Sequence, residues 1–237
     1  MFPILKYILK NNKLYKQTNA ICRLMGTGDI RQVLYVSGNT KGEPLSPEEL
    51  KKFLEYSEEL AIKKDNFSAR VRNLRNAILI RLLALTGRRI GELLAIRIKD
   101  IDFENGLIST IIEKRKGAVK KIRPISVEKF TLNLIIQYIE LKKLKKNDLL
   151  LGISDRQAER IVKQIAKKLN VKKRVTPHSF RHGLITYLRK LGWNTVDIAK
   201  VTGHARAETI ERSYDHTSFY DVQSRFEEGI KNLLKKD

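Results

Sequence analysis

A chain of 237 residues, 42% hydrophobic with only 13 Gly and 5 Pro, is long and apolar enough to bury a core, which excludes a disordered or low-complexity tail. Its 48 Lys and Arg against 26 Asp and Glu leave a formal charge of +22, a self-repulsion that calls for a polyanionic partner and salt-sensitive contact with a phosphate backbone. The excess is widespread but uneven, densest over residues 120–175 with runs such as KKLKK and KKLNVKKR, so the expected partner is nucleic acid and not a membrane.

Residues 1–27 alternate short apolar and basic stretches and predict helix, with a break at MGTGD. The opening MFPILKYILKNNK has no small-residue cleavage pattern, and nothing along the chain is long and apolar enough to span a bilayer; the expected location is the cytoplasm, on the nucleoid or in a host cell if virus-encoded. Cys22 stands alone, which excludes an internal disulfide and a cysteine-ligated zinc and fits a reducing interior. SGNTKGEPLSP at 37–47 is a turn-rich linker, and Ser46, Pro47 and two glutamates start a helix carrying Leu50, Phe53, Leu54 and Leu60. A helix over 69–86 follows from the spacing of Val71, Leu74, Ile78, Leu82 and Leu85, with its stop at Thr86-Gly87 and a short helix in RRIGELLAI after it.

From 100 to 126 the pattern changes to short β-branched runs with turns at ENG and KGA, predicting a small antiparallel hairpin system whose last run ends at Pro124. Helices are expected near 127–142, 154–169, 178–191, 195–201 and 207–214. A last one at 218–235 places Phe219, Val222, Phe226, Ile230 and Leu233 on one stripe, able to pack in cis or dock on a neighbour. The fold class is thus mainly α with a small antiparallel β-hairpin sheet. The expected organisation is a short N-terminal segment over 1–45, a main domain over 46–217 and a C-terminal helix over 218–237.

The chemistry-bearing residues gather late in the chain. Thr176 caps a helix, Pro177 opens it, and His178 in its first turn shares a face with Arg181 at i+3, where unpaired N–H groups and the positive helix end suit a phosphate. Asn194 caps the next helix, Gly203 ends it, His204 follows, and Tyr214 stands ten residues further on. A tyrosine near pKa 10 becomes a nucleophile at neutral pH when positive charge stabilises its phenolate. Singly, each signal has a plainer explanation: Arg89 as a surface charge paired with Glu92, Tyr214 as one packed aromatic among eight tyrosines. The four histidines, His178, His182, His204 and His216, come without an HExxH motif or a carboxylate cluster, so no metal or other cofactor is expected.

In order and spacing, residues 46–217 resemble the tyrosine recombinases, the family of phage integrases and Xer-type resolvases. TGRRIGE matches the family's threonine-glycine pair followed by an arginine and a nearby acid, which assigns Arg89 and Glu92, with Arg88 where an apolar residue is usual. KGAVKKIRPI matches the family's lysine-glycine turn eight residues before a proline, which assigns Lys116, with Lys114 and Lys120 as neighbouring alternatives. HSFRH supplies His178, Arg181 and His182, TGH supplies His204, and RSYDH puts Tyr214 in the nucleophile position. The gap from His204 to Tyr214 is one residue longer than the common spacing, an offset of about 100° on a helix that the ARAE loop has to absorb, and Tyr220 is the alternative. The resemblance implies a core-binding domain of around a hundred residues upstream, and the stretch of about 45 residues here is expected to be either a reduced clamp arm or the remainder of a cut-down gene.

The resemblance also implies a mechanism. Tyr214 attacks the scissile phosphate and expels the 5′-hydroxyl; Arg89 and Arg181 hold the non-bridging oxygens; His204 adds a hydrogen bond; His178 assists proton transfer; Lys116 protonates the leaving oxygen. It further implies assembly to a dimer or tetramer on paired DNA sites, with the arginines and lysine supplying charge that metal ions supply in many nucleases.

Overall fold

In a computed structural model that describes residues 42–63, 65–112, 121–203 and 219–235, the chain is mainly helical with one small antiparallel sheet. The expected start at Ser46 is met by α1 (Pro47–Ile62), where Glu49 N–H donates to Ser46 Oγ at 3.2 Å and Ser46 N–H to the Glu49 carboxylate at 2.7 Å. Asn66 caps α2 (Phe67–Thr86) by accepting from Ala69 N–H at 2.9 Å. Every α2 residue from Ala77 to Thr86 is buried, far more than the single predicted stripe, because the helix is enclosed by several neighbours at once.

One of those buried residues is charged. Arg81 Nη2 lies 2.5 Å from Glu128 Oε1, Nε donates to Thr131 Oγ1 at 2.8 Å and Nη1 to Ser57 Oγ at 3.2 Å, while the guanidinium covers the Phe130 ring at 4.6 Å. Glu128 in turn caps α4 (Lys129–Lys142), so this one guanidinium joins α1, α2 and α4. A short α3 (Ile90–Leu94) follows α2.

The sheet has the order β1 (Ile101–Asp102), β2 (Leu107–Ile112), β3 (Lys121–Ser126), all antiparallel. The ENG turn is where the sequence puts it: Asp102 accepts from the N–H groups of Glu104 and Asn105, and Gly106 takes φ +65°. Pro124 corrects the expectation that it ends the last run. It lies inside β3, opposite Ser109, and is tolerated because β3 is an edge strand whose outer side needs no N–H donor. The β2–β3 pairing ends at Ile112↔Lys121, flanking the segment that carries Lys116.

After β3 the chain is helical again: α5 (Asp155–Lys168), α6 (Pro177–Lys190), α7 (Thr195–Thr202) and α8 (Phe219–Leu234). α5 buries Ala158, Ile161, Val162, Ile165 and Ala166 and leaves Arg156, Arg160, Lys163 and Lys167 exposed, at i, i+4, i+7 and i+11 on one line. α8 packs in cis, with Phe226, Ile230 and Leu233 buried and the Phe226 ring edge-on to Trp193 at 6.4 Å. Residues 1–41 and the expected helix at 207–214 lie outside the described residues, and among the described ones no helix is long and apolar enough to cross a membrane.

Candidate active site

Three helix ends meet around the arginines. α2 stops at Gly87, whose φ of +60° and ψ of 16° close the helix in the left-handed conformation. A Cβ there would stand 2.9 Å from Thr202 Cγ2 and 3.1 Å from Leu184 Cδ2, so glycine is required for both its angle and its size. α7 stops at Gly203, also left-handed at φ +73°. Each stop leaves terminal carbonyls without helical partners and at the negative end of a dipole, a setting that attracts cations.

Arg181 fills that setting. Its Nη1 donates to Gly87 O at 2.6 Å and to Thr202 O at 2.5 Å, and the residue is only 2% exposed. The expectation that Arg181 shares a face with His178 is corrected, since Arg181 is buried and His178 exposed. His178, at the second position of α6, is exposed, and the residue against it is His182 one turn on, with ring centroids 4.3 Å apart. Arg181 instead turns inward, since the two helix-end carbonyls offer it charge-assisted hydrogen bonds.

Arg89, the residue before α3, has a side chain about half exposed at 47%; its Nη1 donates to Glu92 Oε1 at 3.1 Å and to Gly203 O at 3.3 Å. The pairing with Glu92 is therefore real, although Glu92 itself is buried, and the same guanidinium also reaches the end of α7. Arg89 and Arg181 thus bind the consecutive carbonyls of Gly203 and Thr202, immediately before position 204. Burial pushes the Arg181 guanidinium down to about 10, with the Arg89 charge adding to the fall and Glu92 opposing it. It stays charged at neutral pH.

Of the predicted site residues, the structure brings Arg89 and Arg181 together and places His178 and His182 on the first turns of α6, at whose start the Ser179 hydroxyl accepts from Thr176 N–H at 3.1 Å. Lys116, His204 and Tyr214 lie outside the described residues, as do Lys114, Lys120 and the Tyr220 side chain. Sequence reasoning missed the carbonyls of Gly87, Thr202 and Gly203 as arginine acceptors; only the two helix-ending glycines hint at them. It also set Arg88 aside, although two adjacent arginines closing an apolar helix are a signal in themselves.

The model of the phage integrase family matches residues 40–220, most of the chain. The chain belongs to the phage integrase family. This integrase-family chain is 31% identical over 240 residues to tyrosine recombinase XerH of Helicobacter pylori, covering 97% of this chain and 62% of that protein. It is 30% identical over 162 residues to tyrosine recombinase XerA of Saccharolobus solfataricus, covering 68% of this chain and 53% of that one. Among solved structures it is similar to XerH site-specific recombinase bound to difH substrate in a pre-cleavage complex, with a TM-score of 0.57 and 28% identity, covering 76% of this chain and 52% of that one. The crystal structure of XerA recombinase gives a TM-score of 0.54 and 25% identity, covering 78% and 65%. The chain spans less than two thirds of the length of each of these relatives, and over the shared part it has the helical fold with a small antiparallel sheet of the tyrosine-recombinase catalytic domain.

Proposed function

We propose that this chain is a site-specific DNA recombinase or integrase that cleaves and rejoins DNA through a 3′-phosphotyrosyl intermediate on Tyr214. The observation that carries the reading is the convergence of Arg89 and Arg181 on the end of α7, from two segments far apart in sequence. Two guanidiniums held in this way can grip the non-bridging oxygens of a phosphodiester and stabilise the charge that builds on pentacoordinate phosphorus.

In the proposed reaction Tyr214 Oη forms a bond to phosphorus as the bond to the 5′-oxygen breaks. Lys116 delivers the proton that the departing oxygen takes up, His178 assists removal of the phenol proton, and His204 donates to a non-bridging oxygen. Attack by a 5′-hydroxyl on the phosphotyrosyl bond reverses the sequence and releases the tyrosine. Bond energy is retained in the tyrosyl link, so no nucleotide is consumed.

Double-stranded DNA is the proposed partner, and the exposed line of Arg156, Arg160, Lys163 and Lys167 on α5 gives its backbone a track of positive charge. The solved relative XerH was captured on its difH substrate in pre-cleavage and post-cleavage complexes, which supports a DNA-bound assembly as the working form. Self-association to a dimer or tetramer on DNA is proposed, with α8 as the contact. Because α8 buries Phe226 in cis in the single chain, that contact requires the helix to leave one protomer for another.

The test is covalent capture on a pool of nicked random-sequence duplexes, followed by peptide mapping of the DNA-linked residue. The expected adduct is on Tyr214 and is lost in Tyr214→Phe. An adduct on Tyr220, or none with the wild-type chain, overturns the assignment. Relaxation of supercoiled plasmid by monomers without recombinant products would place the chain with type IB topoisomerases instead.

A further inference from the structure

The pair Arg88-Arg89 contributes only its second member to the reaction proposed above, yet the first is the more deeply placed. Arg88 is 1% exposed, among the largest fully buried side chains. Its Nη2 donates to the Pro124 carbonyl of β3 at 3.0 Å and its backbone N–H to Thr86 Oγ1 at 3.3 Å. Its Nε and Nη1 are buried with no hydrogen-bond partner among the described residues.

Its charged neighbours are mostly positive. Among the described residues the charges acting on Arg88 are those of Glu92, Arg123, Arg181 and Arg89. Arg88, Arg89 and Arg181 therefore stand with one carboxylate among the described residues, and that carboxylate is already shared: Glu92 Oε1 accepts from Arg89, while Oε2 is buried with no hydrogen-bond partner among the described residues, as is Arg181 Nη2. Burial pushes the Arg88 guanidinium down to about 10, which still leaves it charged at neutral pH.

A buried cation with unused donors is costly, and an apolar side chain packed in its place is neutral or stabilising in most cores. Packing therefore gives no reason for an arginine at this position. A polyanion that binds next to it does, because the field of a buried charge acts on a nearby phosphate through a medium of low polarity.

We propose that Arg88 is a positioning residue of the phosphate site: it ties the Gly87–Arg89 turn to β3 and holds, beneath Arg89 and Arg181, a positive charge that a docked phosphate neutralises. In this role it makes no contact with the phosphate; it fixes the turn that presents Arg89 and raises the anion affinity of the pair. The inference rests on the phosphate-binding role proposed for Arg89 and Arg181. It sets stability against function at one position: removal of Arg88 makes the free protein more stable and the site a weaker binder.

The experiment is thermal unfolding and calorimetric binding of inorganic phosphate, at ionic strength matched with chloride, for the wild-type chain, Arg88→Leu, Arg88→Met and Arg89→Ala. Both Arg88 variants are expected to melt above wild type without phosphate, to gain less from phosphate, and to bind it about tenfold more weakly, the effect of one unit charge about 10 Å away at an effective dielectric of about 20. Arg89→Ala is expected to lose the phosphate gain without a raised melting temperature. If both Arg88 variants melt below wild type, the guanidinium stabilises the free fold on balance and the proposal falls; a raised melting temperature with phosphate binding unchanged also overturns it. If Arg89→Ala keeps the full phosphate gain, the phosphate site itself is misassigned, a failure distinct from retention by the Arg88 variants alone.

Discussion

Replacing Gly87 with alanine probes the turn on which both site arginines depend. The position has φ +60° and ψ 16°, a conformation that costs an L-residue about 1–2 kcal/mol. The added Cβ would sit 2.9 Å from Thr202 Cγ2 and 3.1 Å from Leu184 Cδ2, and both residues are fully buried, so neither can step aside freely. Overpacking of this kind adds about 1–3 kcal/mol, for a total of about 2–5 kcal/mol. Urea unfolding should show it as a midpoint lower by about 1–2 M, at a slope of about 2–3 kcal/mol/M. Thr202→Ser separates the two causes, because it removes the offending methyl and keeps the hydroxyl that donates to Ile198 O at 2.6 Å. In the double variant the Thr202 share of the clash is relieved while the Leu184 contact and the backbone part remain, leaving a loss smaller than that of Gly87→Ala but at least about 1–2 kcal/mol relative to Thr202→Ser. A Gly87→Ala variant within about 0.5 kcal/mol of wild type, or a cycle with no coupling between positions 87 and 202, would refute the reasoning.

Two other glycines should behave oppositely under the same measurement. In α6 a Cβ at Gly183 would lie 2.6 Å from Leu45 O, a backbone atom that cannot rotate away, so Gly183→Ala should cost about 1–3 kcal/mol; Gly229 in α8 meets only Leu188 and Leu191 side-chain carbons at 3.6 and 3.7 Å, so Gly229→Ala should stabilise by about 0.4–1 kcal/mol. Glu128→Ala strips a nearby carboxylate from the buried Arg81 and the cap from α4, and should cost about 3–5 kcal/mol in urea unfolding, well beyond the loss of an exposed ion pair. Replacing Arg156, Arg160, Lys163 and Lys167 together by glutamine should leave the melting temperature nearly unchanged while lowering the slope of log affinity against log salt for duplex DNA by about 3–4; an unchanged slope in fluorescence anisotropy would remove α5 from the interface.

Most elements were legible because their signals are local. Ser46, Pro47 and Glu49 mark the start of α1 within four residues, and Asn194 marks α7 by accepting from Asp197 N–H at 2.8 Å. The ENG turn, the helix stops at Gly87 and Gly203 and the edge of α5 are equally short-range. Pro124 was misjudged because its tolerance inside β3 depends on which strand lies at the sheet edge, a matter of pairing and not of composition. Arg81 could have been suspected from its place within AILIRLLAL, but its partners come from α1 and α4.

For the site, the order of TGRR, HSFRH and TGH in the sequence was enough to place the chain in its family and to name Arg89, His178, Arg181 and His204 as candidates, because motif order survives without any knowledge of packing. Tertiary structure decided what the arginines touch. Arg181 reaches Gly87 O across 94 positions and Thr202 O across 21, and a backbone carbonyl carries no residue identity for sequence reasoning to find. It decided, too, that Arg88 is buried while Arg89, its immediate neighbour, is half exposed, since the turn after α2 sends one side chain under β3 and the other toward the end of α7. The sequence by itself therefore determined the family and named the candidate groups; only the folded chain decided that Arg88 and Arg181 are buried while Arg89 and His178 are exposed, because burial is a property of what packs around a residue and not of the residue alone.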